Sequence, residues 1–469
     1  AARDWSNQQG LPGAEVSASN AWSRLRATVD VHNDPGTFTS LIGWEWSSTP
    51  GGANLHRVIV SDADGDAAAQ FSPLSSVVSP YPIDLWKWLD KTSLATGIDF
   101  VSIPHNSNLS KGFMFSATDL RGEPVNEEYA ELRNRWERLA EATQIKGDSE
   151  THPALSPEDE FADFEHYPFY LQQLPEEFKP TPADYIRGGL KNGLLLEQTL
   201  GVNPFQFGLI GSTDSHTGLA SAEEPNFWGK MAHDSVPETK QQDALAVGPT
   251  GWTMQAAGLA AVWADDNTRS AIVGAMRRRE TYATTGPRIG LRLFAGYDFT
   301  EQDLMRLDFA TNGYAVGVPM GGELTPDAQL RPPVFLVHAH SDPRSASLDR
   351  IQIVKGWLDA GEVHEKVFDV AWSGERQADS TGKLPSVGDT VNRSTGTWTN
   401  DIGEAALQAI WQDPQFKPDQ KAFYYVRVLE IPTPRHALLD ALALGMQAPT
   451  EGPSVIQERA YSSPVWYKP

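Results

Sequence analysis

A chain of 469 residues exceeds the length a single hydrophobic core usually supports, so two domains or one large elaborated domain are expected. With 40% hydrophobic and 21% charged residues, and no apolar run near the roughly 18–20 residues of a membrane-spanning helix, a disordered or membrane-embedded chain is excluded. The net charge of −23, without a basic stripe, excludes a nucleic-acid binder, and the lack of cysteine excludes disulfides, zinc–thiolate sites and thiol nucleophiles. An acidic surface also repels anionic substrates unless a local cation, such as a metal cluster, reverses the field. The opening Ala1-Ala2-Arg3-Asp4 carries neither Met nor an apolar signal core. We therefore expect either a removed targeting segment or a start inside a longer product. With 15 Trp and 33 Pro the expectation leans to a periplasmic or secreted protein, a cytoplasmic one being kept open.

In chain order, the pattern predicts a helix over 21–29 and buried strands over 38–44 and 55–60. A helix over 82–94 carries Leu85, Trp86, Trp88 and Leu89 at helical spacing, and a strand follows over 100–103. Helices are expected over 127–139, 182–200 and 269–282, with a strand over 205–210. The loops 61–70 and 232–249 read as surface excursions. Strands alternating with helices argue for a parallel sheet or barrel. After Thr285-Gly286-Pro287 the character changes to strand-like segments at 289–294, 334–340, 351–355, 367–371 and 423–429, separated by loops rich in Gly, Pro and Asp. The expected division is an α/β region over 1–289 and a β-rich region over 290–469 packed on it. Arg277, Arg278 and Arg279 read as a solvated helix face or as partners of a helix C-terminus.

Several apolar runs end in a metal-type ligand. Residues 41–44 lead to Glu45, 100–104 lead to His105, and 207–213 lead to Asp214 with His216 two residues on; His56 opens another strand. In (β/α) barrels active sites collect at the C-terminal ends of strands, so such ligands share one mouth despite long sequence separation. A mixed His/carboxylate set suits Zn, Mn or Fe. Each residue also has a plainer reading: a lone His hydrogen-bonded at a strand end, or Asp214 capping a turn with Ser212, Thr213 and Ser215. Glu45, between Trp44 and Trp46, would be costly to bury unpartnered.

Three stretches carry a resemblance: residues 35–48 (PGTFTSLIGWEWSS) with 54–57 (NLHR), residues 103–108 (IPHNSN), and residues 211–218 (GSTDSHTG). Segments 424–435 (YYVRVLEIPTPR) and 457–466 (QERAYSSPVW) extend it. Together they resemble an uncharacterised branch of the PHP (polymerase and histidinol phosphatase) superfamily. That resemblance implies an α/β fold, a distorted (β/α)7 barrel with two or three divalent metal ions (Zn, Mn or Fe). It implies hydrolysis of phosphate esters through a metal-bridging hydroxide. Glu45 would be the bridging carboxylate and His56, His105, Asp214 and His216 the later ligands, with Asp214 and His216 closest to catalysis. The superfamily opens with His-x-His, whereas no His precedes His32 here, so the first strands are expected to be missing from this chain and supplied, if at all, by a separate N-terminal chain of the same precursor.

Supporting groups follow. Arg57 should point away from His56 in a strand; Asn106 and Asn108 flank His105; Lys146 sits at a polar turn suited to an anion or to plain solvation. All four are candidate substrate-binding residues for a small anionic ester. Glu141 reads as a solvated helix end, and His338 with His340 as a substitute for the missing His-x-His or a chance pair on one strand face. No Gly-x-Ser-x-Gly, Walker loop or His-Glu-x-x-His occurs. Two other readings stand beside the phosphoesterase: a hydrolase of sulfate, phosphonate or amide bonds, and a catalytically degenerate protein that binds a ligand or partner through its tryptophans.

Overall fold

The structure, a computed structural model, describes residues 14–171, 176–242, 249–380 and 382–469. The expected excursion over 232–249 therefore lies partly outside the described residues. The chain divides into two compact units interleaved along the sequence. The first is Ala1–Glu141, Tyr170–Gly208 and Val262–Glu280; the second is Ala142–Phe169, Leu209–Ala261 and Thr281–Pro469. Among the described residues no helix is long and apolar enough to cross a membrane.

The first unit holds helix α1 (Ala14–Val31), strands β1 (Ile42–Trp46) and β2 (Arg57–Ser61), helix α2 (Pro82–Thr96), strand β3 (Phe100–Pro104), and helices α3 (Glu127–Trp136) and α4 (Ile186–Leu200). Helix α2 starts with Pro82 in its first turn, where no backbone N–H is required, and stops at Gly97, whose φ of 74° closes the last turn. The Asn126 side chain caps α3 by accepting the Tyr129 N–H at 2.9 Å, with Glu127 and Glu128 at its positive end and Arg133 and Arg135 in its last turn. Helix α3 ends at Trp136, three residues short of the expected 139. Its apolar spacing runs on into Leu139, which opens the next strand, so Glu141 is a buried strand residue rather than a solvated helix end.

Strands β1, β2 and β3 pair in that order, both pairs antiparallel. One face of this sheet carries Ile42, Trp46 and Ile59, fully buried in a cluster with Trp86, Leu89 and Phe100, against which Trp22, Trp44, Phe71 and Trp88 pack. Trp44 alone meets Trp22, Phe71, Trp88 and Phe100 with ring centroids 5.6–6.2 Å apart. The expected surface loop at 61–70 belongs to this core. The Trp22 indole N–H donates to the Ala68 carbonyl at 3.2 Å and Ala68 is fully buried, because α1 lays an apolar stripe over a segment whose own composition is polar.

The second unit contains β4 (Leu139–Gln144) from Ala142 onward, flanked by β5 (Gly147–Asp148) and β6 (Gly208–Gly211). It also holds a four-stranded sheet built on Gly290–Gly296, Val334–His340 and Ala406–Gln412. A larger sheet is centred on Ala422–Glu430, against which the Leu348–Asp359 and Glu362–Trp372 hairpin pairs.

The barrel expectation is overturned. The described strands form five separate sheets, none closed, and the strand pairs that carry Glu45, His56 and His105 are antiparallel. For β1 and β2 the physical reason lies in the connection. Parallel neighbours need a crossover of a dozen or more residues, usually a helix. Between β1 and β2 only residues 47–56 intervene, with one short 3-10 turn at Pro50–Gly52. Apolar runs alternating with helices report burial, not strand direction.

Candidate metal centre and a lysine-held aspartate

In an antiparallel sheet the end of β1, the start of β2 and the end of β3 meet at one edge. Glu45 lies opposite Val58, and Arg57 opposite Pro104; one step further, the His105 N–H donates to the His56 carbonyl at 3.3 Å. Period-two alternation then puts Glu45, His56 and His105 on the face opposite the tryptophan core. Glu45 Oε1 lies 2.6 Å from His56 Nδ1 and 3.5 Å from His105 Nε2. One ligand atom from each residue falls within 4.8 Å of the others; among the described residues this is the group of three that fits a metal ion. The outer partners are orienting ones. His56 Nε2 meets the Thr49 hydroxyl at 3.0 Å, and the Asn54 amide donates to the His105 carbonyl at 2.6 Å. Nδ1 of the buried His105 has no hydrogen-bond partner. Burial pushes the Glu45 carboxyl up, but the two imidazoles beside it outweigh burial and hold it well below the usual carboxylate range. Glu45 is 36% exposed, so the cluster is open on one side.

The fit to a divalent ion can be judged from the donors. Two imidazoles and one carboxylate already converge, a fourth side chain, Thr49, orients one ring, and Nδ1 of the deeper ring is unengaged among the described residues. That donor set matches Zn, Mn or Fe.

Arg57 lies on the other face, as alternation requires. It is 1% exposed, with Nε on Glu137 Oε1 at 2.8 Å and a second bond to the Leu55 carbonyl at 2.5 Å. Glu137 also takes Arg133 at 2.9 Å and the Trp86 indole N–H at 3.0 Å. Burial would raise the Glu137 carboxyl, yet Arg133 and Arg57 bring it below its ordinary value. The guanidinium of Arg57 thus faces the interior of the unit. Asn106 and Asn108 are buried too, Asn106 with a left-handed φ of 49°.

Asp214 and His216 lie in the second unit, in the loop after β6. Asp214 adopts a φ of 52° and gathers two lysines: Lys146 Nζ contacts Oδ2, and Lys230 Nζ reaches Oδ2 at 2.9 Å and the Asp214 carbonyl at 3.0 Å. The Gln144 amide adds a bond at 2.9 Å. His216 Nδ1 sits 2.9 Å from the Asp214 carbonyl, and its N–H donates to the Lys230 carbonyl at 2.8 Å, tying the two loops together. Lys146 is therefore buried rather than a solvated loop residue. Burial, reinforced by Lys146, pushes Lys230 down to about 8. Two ammonium groups on one carboxylate leave an excess of positive charge, which suits an anion. Lys230 escaped the sequence reading because Gly229-Lys230-Met231 has neither periodicity nor a motif; its role comes only from the loop's return to Asp214. His338 and His340 contact each other at 3.1 Å on their strand.

The fold and site thus define a mixed α/β protein with a Glu/His/His cluster on an antiparallel sheet edge. The model of the DUF3604 family, described as a protein of unknown function, matches residues 3–469, and the chain belongs to that family. No curated protein and no solved structure matches it.

Proposed function

We propose that the protein is a metal-dependent hydrolase of phosphate esters, related to the PHP superfamily by the motifs around Glu45, His105 and Asp214. The observation that carries this reading is the convergence of Glu45, His56 and His105 within 4.8 Å. A divalent ion held by these residues supplies Lewis acidity and an activated water. Glu45, already ionised, neutralises part of the ion's charge. Thr49 fixes the His56 ring, and the rigid register of β1–β3 holds the donors without rearrangement. Within the second unit, Lys146 and Lys230 gather positive charge around Asp214. For Asp214 and His216 a ligand role rests on the motif. An ion at Asp214 Oδ2 has to displace an ammonium group, so an alternative role for Asp214 is to hold the two lysines.

The test is elemental analysis of the purified protein alongside turnover of p-nitrophenyl phosphate, with sulfate and phosphonate analogues as comparison. Bound Zn, Mn or Fe that falls in Glu45→Gln and His105→Ala, with phosphatase activity lost on chelation, supports the proposal. Metal-free protein after incubation with Mn and Zn refutes it and leaves the ligand-binding reading. Metal content unchanged in Asp214→Asn assigns that residue to the lysines.

A further inference from the structure

The second unit contains a cavity of about 240 Å³ whose chemistry differs from either cluster above. Four acids line it: Glu223, Glu224, Asp342 and Glu458. Two of them are engaged nearby. Asp342 accepts the Arg288 and Arg344 N–H groups at 2.8 and 2.9 Å, and the exposed Glu223 lies 3.7 Å from the Arg344 guanidinium. The other two are buried, Glu224 at 8% and Glu458 at 2% exposure. No ion pair reaches either one among the described residues. Glu224 accepts the His436 N–H on Oε2, but among the described residues its buried Oε1 has no hydrogen-bond partner. Glu458 accepts only the Thr285 hydroxyl. The nearby Arg435 guanidinium is committed to Glu165 through two bonds of 2.8 Å. Burial pushes Glu224 up to about 7, against the pull of Arg435, and pushes Glu458 well above its ordinary range, with Glu224 adding to it.

Two buried carboxyls in no direct ion pair are an unfavourable arrangement when ionised, even with Arg435 and Lys240 pulling on Glu224 from further off. The rest of the lining is mixed: Trp398, Pro287, Pro434 and Leu439 are apolar, Ser345 and Thr433 are polar, and Arg344 stands beside Glu223. At about 30 Å³ per water-sized group, the volume admits roughly eight non-hydrogen atoms. The free acceptor at Glu224 calls for an N–H donor, which a quaternary ammonium lacks, and an indole face favours a cation beside it.

We propose that this cavity binds a small primary amine, with the ammonium group on Glu224 and Glu458 and a short apolar stem against Trp398 and Pro434. The experiment is titration calorimetry of the whole protein with n-butylamine and 1,4-diaminobutane, against n-butanol, tetramethylammonium and calcium chloride. Saturable binding of the primary amines is expected, weakened at least tenfold in Glu224→Gln and in Glu458→Gln, and reduced in Trp398→Ala. Trp398 is only partly buried, so that variant keeps the test open should a glutamine variant fail to fold. Absence of amine binding at millimolar concentration overturns the proposal. Equal binding of butanol, tighter binding of calcium, or unaltered binding in the variants overturns it as well.

Discussion

Replacing Glu137 by Ala strikes the point where the core and the candidate metal edge share a support. Its carboxylate and the Arg57 and Arg133 side chains are each 1% exposed, with contacts of 2.8 and 2.9 Å. Removing the acid leaves two guanidinium groups buried together without a counter-charge. Breaking a buried pair in this way costs about 3–5 kcal/mol. The Trp86 indole N–H loses its acceptor too, worth about 1–3 kcal/mol more if it stays dry. Part of this sum is relieved if water enters, so a drop of about 4 kcal/mol is expected. Urea denaturation followed by tryptophan emission measures it. Because Arg57 adjoins His56, metal affinity should fall as well, by the 10–100-fold typical of an outer support. The charge also sets a pH dependence. The Glu137 carboxyl is below its ordinary value in the folded chain, so its contribution is present above the ordinary carboxyl range and is lost as pH falls through the folded value. The Ala variant should therefore show a shallower acid limb. A stability loss under about 1 kcal/mol with unaltered acid unfolding would refute the view of Glu137 as a structural counter-ion.

Gly43→Ala should destabilise the β1–β2 pair by more than about 1 kcal/mol, since a Cβ there collides with the Ile59 carbonyl; thermal unfolding measures it, and a neutral result means the strands yield. Burial, against the pull of Ser345, raises Glu430 to about 8, so ionising it opposes folding. The advantage of holding it neutral is complete below the ordinary carboxyl range and is lost as pH climbs through about 8, at roughly 1.4 kcal/mol per pH unit crossed. Glu430→Gln should thus flatten the alkaline limb of the stability profile, and an unchanged limb would argue that Glu430 stays ionised. Asp214→Asn leaves Lys146 and Lys230 without their shared carboxylate and should cost about 3 kcal/mol by denaturant titration. Adding Lys230→Met should recover part of that loss, and strict additivity would mean the two residues act independently.

Much of the first unit could be read from residue order. The start of α2 at Pro82 and its core face followed from the helical spacing of Leu85, Trp86 and Leu89, while its end at Thr96 lies two residues past the expected 94. Glu45, His56 and His105 were marked by apolar runs ending in ligand-type residues. The geometry that joins them was not readable. Strand-end logic for a parallel barrel and for an antiparallel sheet predicts similar ligand positions, and the local pattern contains no term for direction. His56, at the start of a strand rather than its end, was the one residue that distinguished the two. The Arg57–Glu137 pair spans 80 positions, and nothing local to Glu137 separates a buried counter-ion from a solvated helix end. Lys230 was hidden for the same reason: its partner comes from a loop closure of 16 residues without periodicity. Leu139 misled because helical spacing continues through a chain reversal that only the α3 terminus reveals.

The edge formed by β1, β2 and β3 has a consequence for biosynthesis. All three donors are encoded between positions 45 and 105, at neighbouring strand ends. Contacts of such short sequence separation form quickly. During synthesis the trio leaves the ribosome before any residue of the second unit, which starts at Ala142. Under the proposed function, a cation captured at that stage would act on a nascent chain and favour the sheet over competing collapsed states.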